Sequence, residues 1–149
     1  MTAFPEQRYA QFDTSLPEAV NVVSVIDVPD DSRALELALW DWQIRESGDR
    51  QTVEQALRNV LAEAGWPEDL HNQALSVAWC ESRWITDALG IGETARGLFQ
   101  IHLSPWFAYA DEDPAEWSAA LVNARVGWAV YQYDLSRGYA PWTQWECKP

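Results

Sequence analysis

The sequence is poor in positive charge. Lysine and arginine together number 10 against 23 acidic residues, which gives a formal net charge of -13. Binding to nucleic-acid phosphates requires clustered Lys and Arg, so nucleic acid is not expected as a partner. An anionic membrane surface is disfavoured for the same reason.

The sequence also lacks long apolar runs. No segment approaches the roughly 20 apolar residues of a transmembrane helix. The first residues, MTAFPEQRYAQFD, have neither the basic nor the apolar region of a secretory signal. We therefore expect no membrane span and no export by the usual signal-peptide route.

Tryptophan, in contrast, is abundant. Ten of the 149 residues are tryptophan, more than a small core needs, which predicts that some rings line a surface groove or cleft. Trp84, Trp106 and Trp142 are candidate platforms for the apolar face of a sugar, although each ring alone is more typical of a core. The length fits one compact domain.

The apolar periodicity predicts a mostly α-helical fold. Helices are expected from Ser32 to about Glu46, from Thr52 to Gly65, from Pro67 through Glu81, and from Asp113 to Gly138. Ser32 is the expected cap of the first helix, and Thr52 with Gln55 fits a capping box for the second. The β-favouring run from Val20 to Val28 is interpreted as an extended arm or edge strand.

Glu81, in the stretch AWCESRW, lies at the end of an apolar helical stripe that runs from Leu70 to Ala78. Desolvation disfavours the ionised carboxylate at such a position, so the pKa of Glu81 is expected to rise. A carboxyl group that stays protonated can donate its proton to a leaving oxygen, as the cleavage of a glycosidic bond requires. The simpler alternative is that Glu81 points into solvent or pairs with Arg83 or Arg96.

Four segments carry a resemblance to a known family: AWCESRW, GLFQIH, DPAEWSAALVNARVGWAVYQ and GYAPWTQWEC. They resemble the lysozyme-like superfamily, specifically soluble lytic transglycosylases and related bacterial or phage muramidase domains, over roughly Val53 to Cys147. The resemblance implies a lysozyme-like, mostly helical fold with a substrate cleft between helical lobes. Residues 51–149 would form the catalytic domain, and residues 1–50 an N-terminal arm and helix. No metal or cofactor is implied.

The same resemblance implies roles for individual residues. Glu81 matches the catalytic acid, and Ser82 its neighbour in the Glu-Ser motif. The segment Gly97 to Gln100, with Phe99 inside it, matches the part that lines the cleft, where Gln100 would hydrogen-bond the substrate.

Other positions are less well determined. His102 follows the cleft segment and is a candidate substrate contact, although a ring satisfied by local backbone is an equal alternative, and His71 is expected at the surface. The Ala-Tyr-Asn motif of many transglycosylases is absent. Tyr131, Tyr133 and Tyr139 are the candidates to replace its tyrosine. Asn123 matches a residue that supports the site from below.

A second carboxylate would decide the chemistry. Asp87 and Glu93 are the nearest candidates in sequence, and a hydrolase that activates water would need one of them across the cleft from Glu81. A turn or cap role is the alternative for Asp87, and a non-catalytic role is the alternative for Glu93. Without a second carboxylate, the resemblance implies assistance by the substrate's own N-acetyl group and closure of an anhydro ring by the sugar's 6-hydroxyl.

The two cysteines, Cys80 and Cys147, are far apart in the sequence. Spacing alone leaves a disulfide and two free buried thiols equally open. The ending PWTQWEC resembles relatives in which the late cysteine bonds to the one before the glutamate, and this resemblance implies a disulfide.

The resemblance, together with the apolar setting of Glu81, implies a peptidoglycan-cleaving muramidase that acts on the β-1,4 bond between N-acetylmuramic acid and N-acetylglucosamine. One alternative is a non-catalytic wall-binding or virion structural module that keeps the fold. Another is a cysteine hydrolase with Cys80 as nucleophile and His71 or His102 as base.

The charge of the chain bears on its location. A strongly acidic enzyme would be repelled by an anionic wall at low salt, and tethering would offset that repulsion. With no signal recognised, we hypothesise a phage product that is virion-associated or released during lysis, with residues 1–50 binding tail proteins. A secreted bacterial enzyme whose signal has been removed is the alternative.

Overall fold

The computed structural model describes residues 28–149, with side chains from residue 31 onwards. Backbone contacts divide the chain into two units, Met1–Glu36 and Leu37–Pro149, and the boundary falls inside the first helix. The predicted arm and β-favouring run lie outside the described residues, apart from Val28, which begins that helix. Among residues 28–149, none of the helices combines the length and hydrophobicity of a membrane-crossing segment.

Five α-helices make up most of the described chain, and the predicted mostly-α class is confirmed. They are α1 (Val28–Glu46), α2 (Arg50–Ala64), α3 (His71–Ser82), α4 (Leu103–Tyr109) and α5 (Ala120–Ser136). Two short strands, β1 (Ala95–Arg96) and β2 (Ile101–His102), pair antiparallel, with Ala95 opposite His102. Single helical turns at Glu68–Leu70, Ile91–Glu93 and Pro114–Glu116 connect these elements.

The caps of the first two helices differ from the prediction. Ser32 lies inside α1 rather than capping it. The cap of α2 is Asp49, whose carboxylate accepts hydrogen bonds from the backbone N–H of Thr52 at 2.9 Å and from its hydroxyl at 2.6 Å. The prediction of a capping box at Thr52 is therefore wrong, because the Asp49 carboxylate binds the Thr52 N–H that the Gln55 side chain would bind in such a box. The helix ends as predicted at Gly65, whose φ of 102° suits glycine.

The helix predicted from Asp113 to Gly138 is interrupted near its start. The Asp113 carboxylate accepts a hydrogen bond from the N–H of Ala115 and caps only a single turn. Ala119 then adopts an extended conformation, with φ -74° and ψ 125°, so α5 begins at Ala120. The apolar pattern that predicted one helix thus spans two helical segments, the turn Pro114–Glu116 and α5.

The core is built around Trp66. Its ring stacks on Phe99 and on Trp142, with centroids 5.5 Å apart in both cases. Its indole N–H donates to the carbonyl of Ala124 in α5 at 2.9 Å. The buried ring of His71 lies 3.0 Å from the Trp66 carbonyl, so the expectation that His71 is a surface residue is wrong.

The C-terminal tail closes back onto α3 and the β1–β2 hairpin. Trp142 and Trp145 are buried. The Trp145 indole N–H donates to the carbonyl of Phe99 at 2.9 Å. The predicted disulfide between Cys80 and Cys147 is confirmed, with Cα atoms 6.0 Å apart. The tail is therefore part of the structure around the end of α3.

Candidate functional site

An open cavity of about 490 Å³ lies at the C-terminal end of α3. Its walls come from α3, from the loop that precedes β1, from the hairpin and from the C-terminal tail. The polar side chains that line it belong to Glu81, Thr94, Gln100, His102, Gln144 and Glu146. No tyrosine and no tryptophan is among the lining residues in the described part of the chain.

Glu81 is half-buried in this cavity, and burial raises the pKa of its carboxyl group. The neighbouring charge of Glu146 raises this pKa further, whereas the N–H of Cys147, which donates to the Glu81 carboxylate, and the charge of Lys148 lower it. Desolvation is the largest of these effects. The direction agrees with the expectation from the apolar stripe.

The alternative partners of Glu81 are used elsewhere. Arg83 donates to the carbonyls of Trp79 and Cys80, and Arg96 donates to the carbonyl of Glu93. Arg83 also ends α3 directly after the Glu-Ser pair, because it adopts the left-handed conformation with φ 56°. Glu81 therefore faces the cavity at the last turn of the helix without an arginine partner among the described residues.

The second carboxylate in the cavity is Glu146, which the sequence reasoning missed. Asp87 lines a different cavity, and Glu93 is exposed at the end of the helical turn Ile91–Glu93 and does not line this cavity. A signal for Glu146 was present, because it directly precedes Cys147. A disulfide to Cys80, the neighbour of Glu81, brings the two glutamates to the same place.

The GLFQ segment forms the turn between β1 and β2, and Asn123 holds it. The Asn123 side-chain oxygen accepts the N–H of Phe99 at 2.8 Å, and its amide nitrogen donates to the carbonyls of Arg96 and Trp117, both at 3.1 Å. Gly97 has φ 77°, and a Cβ there would lie 2.4 Å from the Asn123 amide nitrogen. Only glycine fits this approach. Asn123 thus holds the backbone of the GLFQ turn in place next to the cavity.

Two residues of the GLFQIH segment reach the cavity. Gln100 lines it, while its amide nitrogen donates to the carbonyls of Ala88 and Gly97 at 3.1 and 3.0 Å. Its side-chain oxygen accepts no hydrogen bond from the described residues and is the atom left for a ligand. His102 is exposed and also lines the cavity. Phe99, in contrast, is 1% exposed and stacks on Trp66, so the structure places it in the core and not against a substrate.

Other residues predicted to bind substrate lie outside the cavity lining. Ser82 is buried, and its hydroxyl donates to the Ala78 carbonyl within α3. Tyr131 is buried against Trp66 and Trp142, and burial raises its pKa. Trp106 packs edge-on against tyrosines rather than facing the cavity.

The predicted sugar platforms also differ from the observed exposure. Trp84 and Trp142 are only 7% and 2% exposed, so both are core residues. The large apolar side chains at the cavity are aliphatic, namely the exposed Leu89 and Ile91, with the smaller Ala95 beside them in the lining. An apolar sugar face would therefore meet aliphatic side chains here.

The described residues contain no group of three or more His, Cys, Asp or Glu side chains placed to hold a metal ion. The arrangement instead places one carboxyl group of raised pKa beside a second carboxylate in an open, polar cavity. Such a pair can donate a proton on one side of a bound molecule and accept one on the other. Comparisons with protein-family models, with curated proteins and with solved structures gave no match.

Proposed function

We propose that this protein is a peptidoglycan-cleaving muramidase of lysozyme-like fold, which acts on the β-1,4 bond between N-acetylmuramic acid and N-acetylglucosamine. The observation that carries the proposal is the half-buried Glu81 carboxyl group, whose pKa is raised by desolvation and which opens into a cavity of about 490 Å³. Such a group can protonate a leaving sugar oxygen. The resemblance of AWCESRW and GLFQIH to the lysozyme-like superfamily supports the choice of substrate.

Glu146 is the residue that we assign as second carboxylate, in place of Asp87 and Glu93. Its negative charge helps to keep Glu81 protonated, while it remains available itself as a base. In a hydrolytic reaction Glu81 gives its proton to the leaving oxygen as the glycosidic bond breaks. Water attacks the anomeric carbon, and Glu146 accepts the proton that the water loses.

Transglycosylation is the second chemistry that the cavity supports. In that reaction the sugar's own 6-hydroxyl attacks the anomeric carbon, and its proton returns to Glu81, which acts first as acid and then as base. Glu146 would then only tune the pKa of Glu81. The two reactions differ in their products, because the anhydro product is lighter by one water.

A non-catalytic wall-binding module is the alternative function, and one observation favours it. The tyrosine of the Ala-Tyr-Asn motif approaches the catalytic acid in transglycosylases of the resembled family, and no tyrosine lines the described cavity around Glu81. In such a module the cavity would hold a glycan strand without cleaving it.

Mass analysis of muropeptides tests the proposal. The full chain, the Glu81→Gln variant and a control Glu116→Gln variant, changed at an exposed glutamate, are incubated with purified peptidoglycan. We expect products from wild type and Glu116→Gln, and a loss of about 100-fold or more in rate for Glu81→Gln. Products from Glu81→Gln at the wild-type rate would refute the role of Glu81. If the folded wild type releases no muropeptides, the non-catalytic wall-binding module is the function that remains.

We further propose that the protein works while attached to a larger particle such as a phage virion, through residues 1–50. A net charge of -13 opposes approach to an anionic wall, and attachment raises the local concentration. Removal of residues 1–31 should abolish incorporation into particles and leave wall cleavage by the remaining domain intact. Loss of folding instead would contradict the role of these residues as an anchor. Incorporation without these residues would refute the assignment.

A further inference from the structure

A second cavity, of about 500 Å³, shares no lining residue with the cavity that contains Glu81. It lies between the end of α1, the start of α2 and the residues around the end of α3. Trp79 lines it, whereas Glu81, two residues later, faces the other cavity, because residues two apart point to nearly opposite sides of a helix. The two cavities are therefore separate sites on either side of α3.

Arginines collect in this second cavity. Arg45, Arg50 and Arg83 all line it, in a chain with only 10 basic residues. The acidic residues that line it are Glu46 and Asp87. Asp41, which is not among the lining residues, pairs with Arg45 at 2.6 Å. The cavity is therefore close to neutral, in contrast to the net charge of -13 of the whole chain.

Arg50 is held in place by two indole rings. The centre of its guanidinium group lies 4.7 Å from the ring centroid of Trp79 and 4.5 Å from that of Trp84. The Trp84 ring is itself fixed, because it is buried and its N–H donates to the Leu75 carbonyl at 3.0 Å. These contacts orient the guanidinium through cation–π attraction and use none of its N–H donors as hydrogen bonds.

The N–H groups of Arg50 form no hydrogen bond or ion pair with any side chain or backbone group in the described part of the chain. The other two arginines are partly engaged. Arg45 is bound to Asp41 and to the carbonyl of Ser118, and one nitrogen of Arg83 donates to the carbonyls of Trp79 and Cys80. Among the described residues, Arg50 is thus a cation oriented by two rings and not paired with a carboxylate.

We propose that this cavity, which we call the arginine groove (Ile44, Arg45, Arg50, Val53, Arg83 and Ile85), binds a carboxylate-bearing peptide. A planar carboxylate matches the two parallel N–H groups that Arg50 offers. The exposed side chain of Ile85 gives an aliphatic side chain next to the carboxylate an apolar surface to pack on. A hydrophilic phosphate polymer has no apolar group to bury there.

The source that we infer for this peptide rests on the proposed function. Glycan strands of peptidoglycan carry short peptide stems that end in carboxylates beside small aliphatic side chains. A groove for stems on the far side of α3 would hold a neighbouring strand while Glu81 acts on another. It would also oppose the repulsion between an acidic enzyme and the wall.

Binding of a short peptide tests the groove without any cleavage. The probe is an alanine-terminated tetrapeptide with a free C-terminal carboxylate, compared with the same peptide amidated at that end. Binding to the full chain is followed by NMR shifts of the Trp79 indole N–H. We expect Arg50→Gln and C-terminal amidation each to weaken binding by about tenfold or more, as for the loss of a charged hydrogen bond.

Control variants and a phosphate-bearing probe test whether the peptide binds in the arginine groove through its carboxylate. Arg125→Gln, at a partly exposed arginine outside the groove, is the matched control and should bind as wild type, as should Glu81→Gln. Arg83→Gln provides a second test in case Arg50→Gln does not fold. Equal binding of the free and amidated peptides overturns the proposal, and so does tighter binding of a glycerol phosphate oligomer.

Cleavage kinetics provide a readout that depends on both sites. On peptidoglycan with stems, Arg50→Gln should raise KM and leave kcat unchanged, whereas on glycan stripped of its stems it should match wild type. An unchanged KM on stem-bearing peptidoglycan overturns the role of the groove in cleavage. A wild type that binds the peptide but cleaves nothing would refute the proposed function and leave the groove standing.

Discussion

The disulfide between Cys80 and Cys147 joins the residue directly before Glu81 to the residue directly after Glu146. The Cα atoms of the two cysteines lie 6.0 Å apart across a sequence separation of 67 residues. The N–H of Cys147 also donates to the Glu81 carboxylate. One covalent bond therefore ties the tail segment that contains Glu146 to the end of α3 that contains Glu81.

Replacing both cysteines with serine should destabilise the protein and impair the site. A closed loop of 67 residues predicts a loss of about 4 kcal/mol in the free energy of unfolding. Urea denaturation measures this loss, and wild type with its disulfide reduced is the control. We expect the rate of wall cleavage to fall even at temperatures where the variant stays folded. An unchanged rate would show that packing alone positions Glu146.

Replacing Glu146 with glutamine should lower the pKa of Glu81. The charge of Glu146 raises this pKa, and glutamine has no charge. NMR titration of the Glu81 carboxyl group measures the shift directly. Glu116→Gln, at an exposed position outside the cavity, should leave the pKa unchanged. A pKa that stays the same in Glu146→Gln would contradict the coupling between the two glutamates.

Replacing Glu81 with glutamine should stabilise the protein at neutral pH. Burial raises the pKa of Glu81 above its unfolded value, so the folded state favours the protonated form. This stabilisation is fully present below the unfolded pKa of about 4.3 and is lost as pH rises through the raised folded pKa. Glutamine stays neutral, so the variant should gain in Tm over wild type as pH increases. Thermal unfolding of both proteins across this pH range measures the gain. Equal Tm values for the variant and wild type at every pH would count against a desolvated Glu81.

Replacing Asn123 with alanine should destabilise the hairpin and the cavity with it. Asn123 is fully buried and makes three hydrogen bonds to the backbone around the GLFQ turn. Leaving these groups unpaired costs about 3 kcal/mol or more of unfolding free energy. Asn72→Ala, at an exposed asparagine bound to Arg58, is the matched control and should change stability by about 0.5 kcal/mol or less. Urea denaturation distinguishes the two.

The helices were predictable where the local pattern was strong. The apolar stripe from Leu70 to Ala78 places Glu81 at the end of α3, and Gly65 ends α2 as expected. The cap of α2 was missed because Asp49 and Thr52 are both good caps, and only the backbone geometry selects between them. The lysozyme-like resemblance remains a prediction.

The exposure of the tryptophans was not predictable from their abundance. Trp79 is 40% exposed, whereas Trp84, five residues later, is 7% exposed. The difference arises because Arg83 and Trp84 both adopt positive φ values, 56° and 62°, which turn the chain after α3 and bury the Trp84 ring. Neither residue type signals such a turn. The tail has no helical periodicity, so the signal for Glu146 lay only in its place next to Cys147, whose disulfide leads to the neighbour of Glu81.

The contacts of the C-terminal tail have a consequence for the order of folding. Trp142 binds Gln73 and Trp145 binds Phe99, across 69 and 46 residues. The entropy cost of closing such long loops favours late formation of these contacts. Helices α2 and α3 are built from local contacts, but the wall of the cavity that holds Glu146 is completed only when the tail docks. Until then Glu81 lacks the neighbouring charge of Glu146, which is one of the causes of its raised pKa.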